Sequence, residues 1–193
     1  MELIFTTTNP EKLKEAQLAL EPFGHKVTGK SFQFYEPDEG SMEDIARLKL
    51  TQIKEDTDLP VFVDDSGIFF EAYNDFPGVL TRRFFQMIGY KGVKKLLFNE
   101  NRNAYFHGVV AVKWRDKEGI FHGKTFGKII NEIPDDLPEG LRFPFDPIFI
   151  PYGETTVLAQ MPVEKRIQYS YRKKALIKMG EWLKRVEIER IFA

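Results

Sequence analysis

Two adjacent carboxylates, Asp64 and Asp65, close a short apolar run, Val61-Phe62-Val63, and are followed by Ser66-Gly67. A buried strand that ends in charge is costly unless the charge meets a cation or hydrogen-bond donors. Ligand sites in α/β proteins favour strand ends, so these residue types in this place point to a divalent metal. Ser66-Gly67 reads as a tight turn, and Asp and Gly equally suit a plain solvated turn. The stretch alone leaves both readings open. Cations recur where electrostatics disfavours them. Lys12 falls in the first turn of a helix predicted from Pro10 to Leu20 with Asn9 as N-cap, against the helix dipole. An anion bound at that N-terminus would account for it, as would simple exposure to solvent. Lys49 falls on the apolar face of a second helix, predicted over 42–54, beside Met42, Ile45, Ala46 and Ile53. Such a lysine snorkels outward, or it stays inside and needs an anion.

The elements that would position these groups alternate in type. Leu3-Ile4-Phe5 is a short strand, and Lys26-Val27-Thr28 is another. Ser41 followed by Asp44 marks the start of the second helix. The acidic strand continues to about Tyr73, and Thr81-Arg82-Arg83 opens a helical region broken at Gly89. Residues 104–114 alternate as a long strand, 115–119 turn, and 120–130 return antiparallel. Phe143-Pro144-Phe145-Asp146-Pro147 packs aromatics around one acid; they are either core or a stacking platform for a base. A last helix over 173–188 carries Leu176, Met179, Leu183 and Val186 on one face. Intermixed strands and helices with a late hairpin predict an α/β fold with a mixed sheet.

The totals exclude several classes of function. At 193 residues, with 42% hydrophobic and 30% charged, the chain suits a single globular domain over 1–193. A formal net charge of −1 advertises no nucleic-acid partner. The absence of cysteine excludes disulfides, thiol nucleophiles and cysteine-ligated metals. No apolar run of about 18 residues suggests a membrane span, and Met1-Glu2-Leu3-Ile4-Phe5 lacks signal-peptide character, so a cytoplasmic protein is expected.

Three sets of motifs together resemble the inosine triphosphatase family, pyrophosphatases of deaminated purine nucleoside triphosphates. Thr7-Thr8-Asn9-Pro10-Glu11-Lys12 is similar to its N-terminal T-x-N-x-x-K phosphate loop. Val63-Asp64-Asp65-Ser66-Gly67, with Phe76-Pro77-Gly78-Val79-Leu80-Thr81 behind it, is similar to its central acidic motif. Phe143-Pro144-Phe145-Asp146-Pro147-Ile148-Phe149 and Lys165 with Ser170-Tyr171-Arg172 resemble its F-G-Y-D-P-I-F and K…S-H-R elements. Order and spacing match across essentially the whole chain.

The resemblance implies an elongated mixed sheet flanked by helices, two lobes around a central nucleotide cleft, a homodimer, and Mg²⁺-dependent hydrolysis of ITP, dITP and XTP. It implies that Thr7, Thr8, Asn9 and Lys12 touch the triphosphate, with Lys49, Ser66, Thr81 and Lys165 as further substrate contacts. Asp65 would be the catalytic carboxylate, and Asp64, Asp65, Glu36 and Glu39 the metal-binding acids. Phe143, Phe145, Asp146, Ser170, Tyr171 and Arg172 would line the base pocket. The chain departs from the pattern at Tyr171 (for His), Pro144, Phe145 (for Tyr) and Gln160 (for Glu), and Pro37 stands where the loop Glu is expected.

The implied chemistry is sound on its own terms. Loss of pyrophosphate needs water to attack the α-phosphorus while charge builds on the leaving group. A carboxylate can take the water's proton, Mg²⁺ prefers oxygen donors, and Lys12, Lys165 and Arg172 can stabilise the leaving charge. Adjacent residues of a regular strand face opposite ways. Either the strand breaks at Asp64, or Asp65 serves metal and water while Asp64 is structural. Arg172 can only donate, so it suits a 6-keto oxygen and opposes the amino group of adenine. Two alternatives remain: a Maf-like pyrophosphatase of pyrimidine nucleotides, and a nucleotide-binding protein without turnover.

Overall fold

A computed structural model describes residues 1–54, 57–136 and 144–191. Strand β1 (Glu2–Thr6) leads through Thr7, Thr8 and Asn9 into helix α1 (Pro10–Leu20), and β2 (Lys26–Lys30) follows. Helix α2 (Met42–Gln52) starts at Ser41 in a reciprocal capping box: the Asp44 N–H donates to the Ser41 hydroxyl and the Ser41 N–H to the Asp44 carboxylate. Next come β3 (Val61–Phe70), β4 (Phe76–Pro77), α3 (Thr81–Leu96), the hairpin β5 (Asn103–Trp114) and β6 (Lys117–Ile129), β7 (Phe149–Pro151), the short α4 (Val163–Arg166) and α5 (Tyr171–Ile191). The strands form one sheet in the order β2-β1-β3-β5-β6-β7, with β4 beside β3. Strand β1 runs parallel to β2 and β3, whereas β3–β4 and β6–β7 are antiparallel. The expected mixed sheet with flanking helices is therefore present.

The chain separates into two compact units. The first comprises Met1–Asp65, Gly108–Gly123 and Tyr171–Ala193; the second, Ser66–His107 and Lys124–Ser170. The first unit packs α1 and α5 over its strands around Leu3, Phe5, Leu20, Phe62, Val110, Val112, Leu176, Met179 and Leu183, with Phe5 and Phe62 stacked at 4.4 Å. Each such side chain contributes roughly 1.5–3 kcal/mol on burial, as an upper bound. The spacing read for the last helix fits, since Leu176, Met179, Leu183 and Val186 are all buried. In the second unit Phe70, Phe84, Phe85, Tyr90 and Phe145 form an edge-to-face aromatic core.

Several local expectations need correction. Ser66-Gly67 is not a turn: β3 runs unbroken from Val61 to Phe70. Its first part pairs with β1, its last part with β4, and β5 is its other neighbour in the sheet, so the two residues are extended despite their turn preference. The hairpin turn shrinks to Arg115-Asp116, with Arg115 in the left-handed region at φ 56°. Helix α2 ends at Gln52 rather than Lys54, and β4 and β7 were not anticipated. Helix α3 does break at Gly89, whose φ of 54° and ψ of −165° are accessible chiefly to glycine. Among the described residues no helix is long and apolar enough to cross a membrane.

Candidate active site

The N-terminal loop is shaped by its own side chains. The Asn9 carboxamide oxygen accepts from the N–H groups of Glu11 at 2.9 Å and Lys12 at 3.3 Å. Asn9 in turn donates its N–H to the Thr7 hydroxyl at 3.1 Å, and Thr8 is left exposed. This cap turns the first residues of α1 so that Lys12 reaches across to β3. Its Nζ lies 2.9 Å from Asp64 Oδ1. The anion that explains a lysine in this first helical turn is thus a carboxylate of the protein itself.

Asp64 is nearly inaccessible, its side chain 5% exposed, and it is fully engaged. Arg172 Nε donates to Asp64 Oδ2 at 2.6 Å, and an Arg172 terminal nitrogen donates to Glu15 at 2.6 Å. Lys12 and Glu15 are three residues apart on α1 and share a face, and the contacts run Lys12–Asp64–Arg172–Glu15 as a chain of alternating charge. Burial opposes ionisation of Asp64, yet the Lys12 and Arg172 charges overcome it and hold the carboxyl well below the usual range. The Arg172 guanidinium, also buried, is kept charged by Asp64 first and by Tyr171 and Glu15 after it.

Asp65 faces a different partner, as strand alternation requires. Lys49 has stayed inside, with its side chain 7% exposed. Its Nζ lies 2.8 Å from Glu36 and 3.3 Å from Asp65. Burial raises the Asp65 carboxyl above its ordinary value; Lys49 opposes the rise, and Asp64 and Glu36 add to it. Desolvation works against the Lys49 charge, but Asp65 and Glu36 outweigh it and raise its pKa.

The two groups differ in charge balance. The chain of Lys12, Asp64, Arg172 and Glu15 is neutral, whereas Lys49 faces two carboxylates, which leaves one negative charge in excess among these three groups. Asp65 and Glu36 offer hard oxygen donors at a place short of positive charge, which suits Mg²⁺. Among the described residues no three acids or histidines gather as a ready cage. Mg²⁺ normally takes one or two carboxylates and fills its shell with water and substrate phosphate, so two donors suffice. Of the four acids expected at the metal, Asp65 and Glu36 converge on Lys49. Both oxygens of Asp64 meet Lys12 and Arg172, and Glu36, exposed like Glu39, closes on Lys49.

Two glycines let α5 bring Arg172 down onto the sheet. A Cβ on Gly123 of β6 would stand 1.9 Å from the Tyr171 carbonyl oxygen, and one on Gly108 of β5 would stand 2.6 Å from the Tyr171 ring. The Arg172 guanidinium lies 5.5 Å from the Tyr171 ring centroid. Arg172 is therefore tied to two carboxylates, Asp64 and Glu15.

Other anticipated residues lie in the second unit and are engaged there. The Thr81 hydroxyl is buried, donating to the Gly78 carbonyl at 2.7 Å and accepting from the Ile68 N–H at 2.9 Å. It pins the start of α3 to β3 rather than offering itself to phosphate. Lys165 pairs with Glu154 at 2.6 Å, and the Tyr169 hydroxyl donates to the same carboxylate at 2.5 Å. Phe145 is fully buried between Phe70 and Phe85, so it is core and not a stacking platform. Asp146 is half-buried and its carbonyl accepts from Ala159 at 3.0 Å. Ser66 and Ser170 are half-buried, and the Ser170 N–H closes the turn onto Ile167. Phe143 lies outside the described residues. Glu15 and Glu154 escaped the reading of the sequence; only Glu15 left a signal there, its three-residue spacing from Lys12.

Residues 3–182 match the profile of the Ham1 family. The chain belongs to the Ham1 family. Over 186 residues it is 39% identical to the dITP/XTP pyrophosphatase of Thermococcus kodakarensis, spanning 95% of this chain and 98% of that protein. The dITP/XTP pyrophosphatase of Methanopyrus kandleri is 37% identical over 187 residues, spanning 95% and 97%. A HAM1 protein from Coxiella burnetii superposes with a TM-score of 0.80 at 26% identity, covering 96% of this chain and 99% of that one. The Thermococcus and Methanopyrus relatives are named for a dITP/XTP pyrophosphatase activity, and the Coxiella protein shares the α/β fold read from the sequence.

Proposed function

We propose that this chain is a Mg²⁺-dependent pyrophosphatase that hydrolyses dITP, ITP and XTP to the monophosphate and pyrophosphate, clearing deaminated purines from the cytoplasmic nucleotide pool. The observation that carries the reading is the Asp65–Lys49–Glu36 cluster, one positive charge short, adjoining a Lys12 held in place by Asp64. Asp65 takes the proton of the attacking water as its oxygen bonds to the α-phosphorus. The bond from the α-phosphorus to the bridging oxygen breaks, and pyrophosphate leaves with that oxygen and the electron pair. Burial makes Asp65 a stronger base than an exposed carboxylate, which favours proton uptake. Lys12 and Lys49 stabilise the charge that builds on the phosphate oxygens. Mg²⁺ bound by Asp65 and Glu36 would neutralise phosphate charge and polarise the reacting phosphoryl group. Thr7, Asn9 and the exposed Thr8 shape the phosphate loop, and we assign substrate contacts to Phe143, Asp146, Lys165 and Ser170 from the family pattern and to Tyr171 in place of its histidine. We assign residues 1–193 to one functional domain, a reading supported by the single continuous family match over 3–182.

Product analysis with ITP, dITP, XTP, ATP, dTTP and UTP, with and without Mg²⁺, tests this reading. We expect pyrophosphate, not orthophosphate, from the first three nucleotides and only with the metal. Preference for dTTP or UTP would favour the pyrimidine alternative, and binding without release would favour the inactive one. The chain is also expected to form a homodimer. Sedimentation equilibrium at micromolar concentration should give twice the monomer mass, and a purely monomeric species would refute it.

A further inference from the structure

We propose that Gln52 is a positioning residue that holds Glu36 at the Lys49–Asp65 cluster and so completes the cation site. The proposal rests on the reading of Asp65 and Glu36 as the cation's carboxylate donors. Residues 31–40, between β2 and α2, belong to no helix or strand. A segment without a ladder must satisfy its backbone polar groups by other means. At Tyr35 one side chain does both. The Tyr35 N–H donates to Gln52 Oε1 at 2.8 Å, and Gln52 Nε2 donates to the Tyr35 carbonyl at 2.9 Å. This pair of bonds reproduces what a neighbouring strand would provide, and it fixes the peptide plane from which Glu36 departs.

The clamp can be seated only one way. Gln52 Nε2 also donates to the Leu48 carbonyl at 3.2 Å, so both amide hydrogens meet carbonyls and the amide oxygen meets the single N–H. A flipped amide would set its oxygen against two carbonyl oxygens. Gln52 lies three residues after Lys49 on α2, on the same face, so one stretch of helix holds the loop backbone and receives its acid. The Phe34 ring lies under Lys49, 5.9 Å from Nζ, and adds a second tether just before the clamp. The Glu36 side chain is 54% exposed and would otherwise swing freely in solvent; instead it sits 2.8 Å from a buried ammonium. Outer partners that orient metal donors commonly change affinity by about 10–100-fold when removed.

Two variants of the full chain test this, Gln52→Glu and Gln52→Ala. The first keeps the shape and the acceptor but loses both donors and places a carboxylate against two carbonyls. The probe is Mn²⁺, followed by electron paramagnetic resonance of the free ion without nucleotide, alongside hydrogen exchange of the Tyr35 and Glu36 amides. In both variants the Mn²⁺ dissociation constant should rise about 10-fold and the two amides should exchange faster, while the amides of α2 keep their protection. The Mg²⁺ needed for half-maximal XTP hydrolysis should rise in parallel, with turnover at saturating Mg²⁺ within about twofold of wild type. Unchanged Mn²⁺ affinity in Gln52→Glu, or a wild type that binds no Mn²⁺, overturns the proposal. A lower melting temperature with unshifted metal affinity overturns it too, since a merely structural role has that signature. If wild type releases no pyrophosphate from XTP but Mn²⁺ affinity shifts as stated, the proposed function falls and the role of Gln52 stands.

Discussion

Asp65→Asn should lose turnover of XTP by about 10³-fold or more while the protein stays folded, given that a positioned general base contributes 10²–10⁴-fold. The amide matches the carboxylate in shape, so packing around β3 is preserved. It cannot accept the water's proton, and it removes one of the two charges that Lys49 faces. Removing that charge also takes away the negative excess that calls for a cation, so affinity for Mg²⁺ should weaken in the same variant. Single-turnover assays at saturating Mg²⁺ separate the two effects. Loss should persist when metal is saturating, with a circular dichroism spectrum and melting temperature close to wild type. Turnover within tenfold of wild type under those conditions would remove Asp65 from the role of base.

The second large effect concerns stability and belongs to the neighbouring residue. Asp64→Asn should destabilise the protein by about 3–5 kcal/mol at pH 7, the cost of stranding buried charge by deleting its partner. Lys12 can turn outward, but the Arg172 guanidinium would keep only Glu15. For a chain of this size that corresponds to a fall in melting temperature of roughly 10 °C. Its pH dependence has a definite sign. The folded carboxyl is depressed below its unfolded value, so its stabilisation is present above the unfolded pKa and fades as the pH falls through the folded one. The gap between wild type and variant should therefore be widest near neutrality and narrow only in strong acid. A gap that instead widened below pH 4 would contradict the pairing of Asp64 with Lys12 and Arg172. Arg172→Met should lower ITP and ATP turnover by similar factors, because Arg172 acts through Asp64 and Lys12. A loss confined to ITP would return Arg172 to the base.

What the sequence determined by itself is the set of local and chemical facts. The N-cap at Asn9, the capping box at Ser41, the break at Gly89 and the apolar stripe of α5 all follow from preferences acting within a few residues. The motif spacings likewise identified the family. The sequence also posed two electrostatic questions without resolving them: which anion explains Lys12, and whether Lys49 stays inside. Only the tertiary structure decided those, because the partners are remote along the chain. Lys12 meets Asp64, 52 residues away, and Arg172 meets the same carboxylate across 108 residues. It also decided the division of labour between the adjacent aspartates. With β3 continuous from Val61 to Phe70, alternation sends Asp64 to Lys12 and Arg172 and Asp65 to Lys49, which Glu36 also meets. Phe145 shows the same limit from the apolar side. A phenylalanine beside an acid reads identically as base platform or core, and only the packing of Phe70 and Phe85 around its ring separates them. Charge pairing and aromatic packing depend on distance in space, which local pattern does not encode.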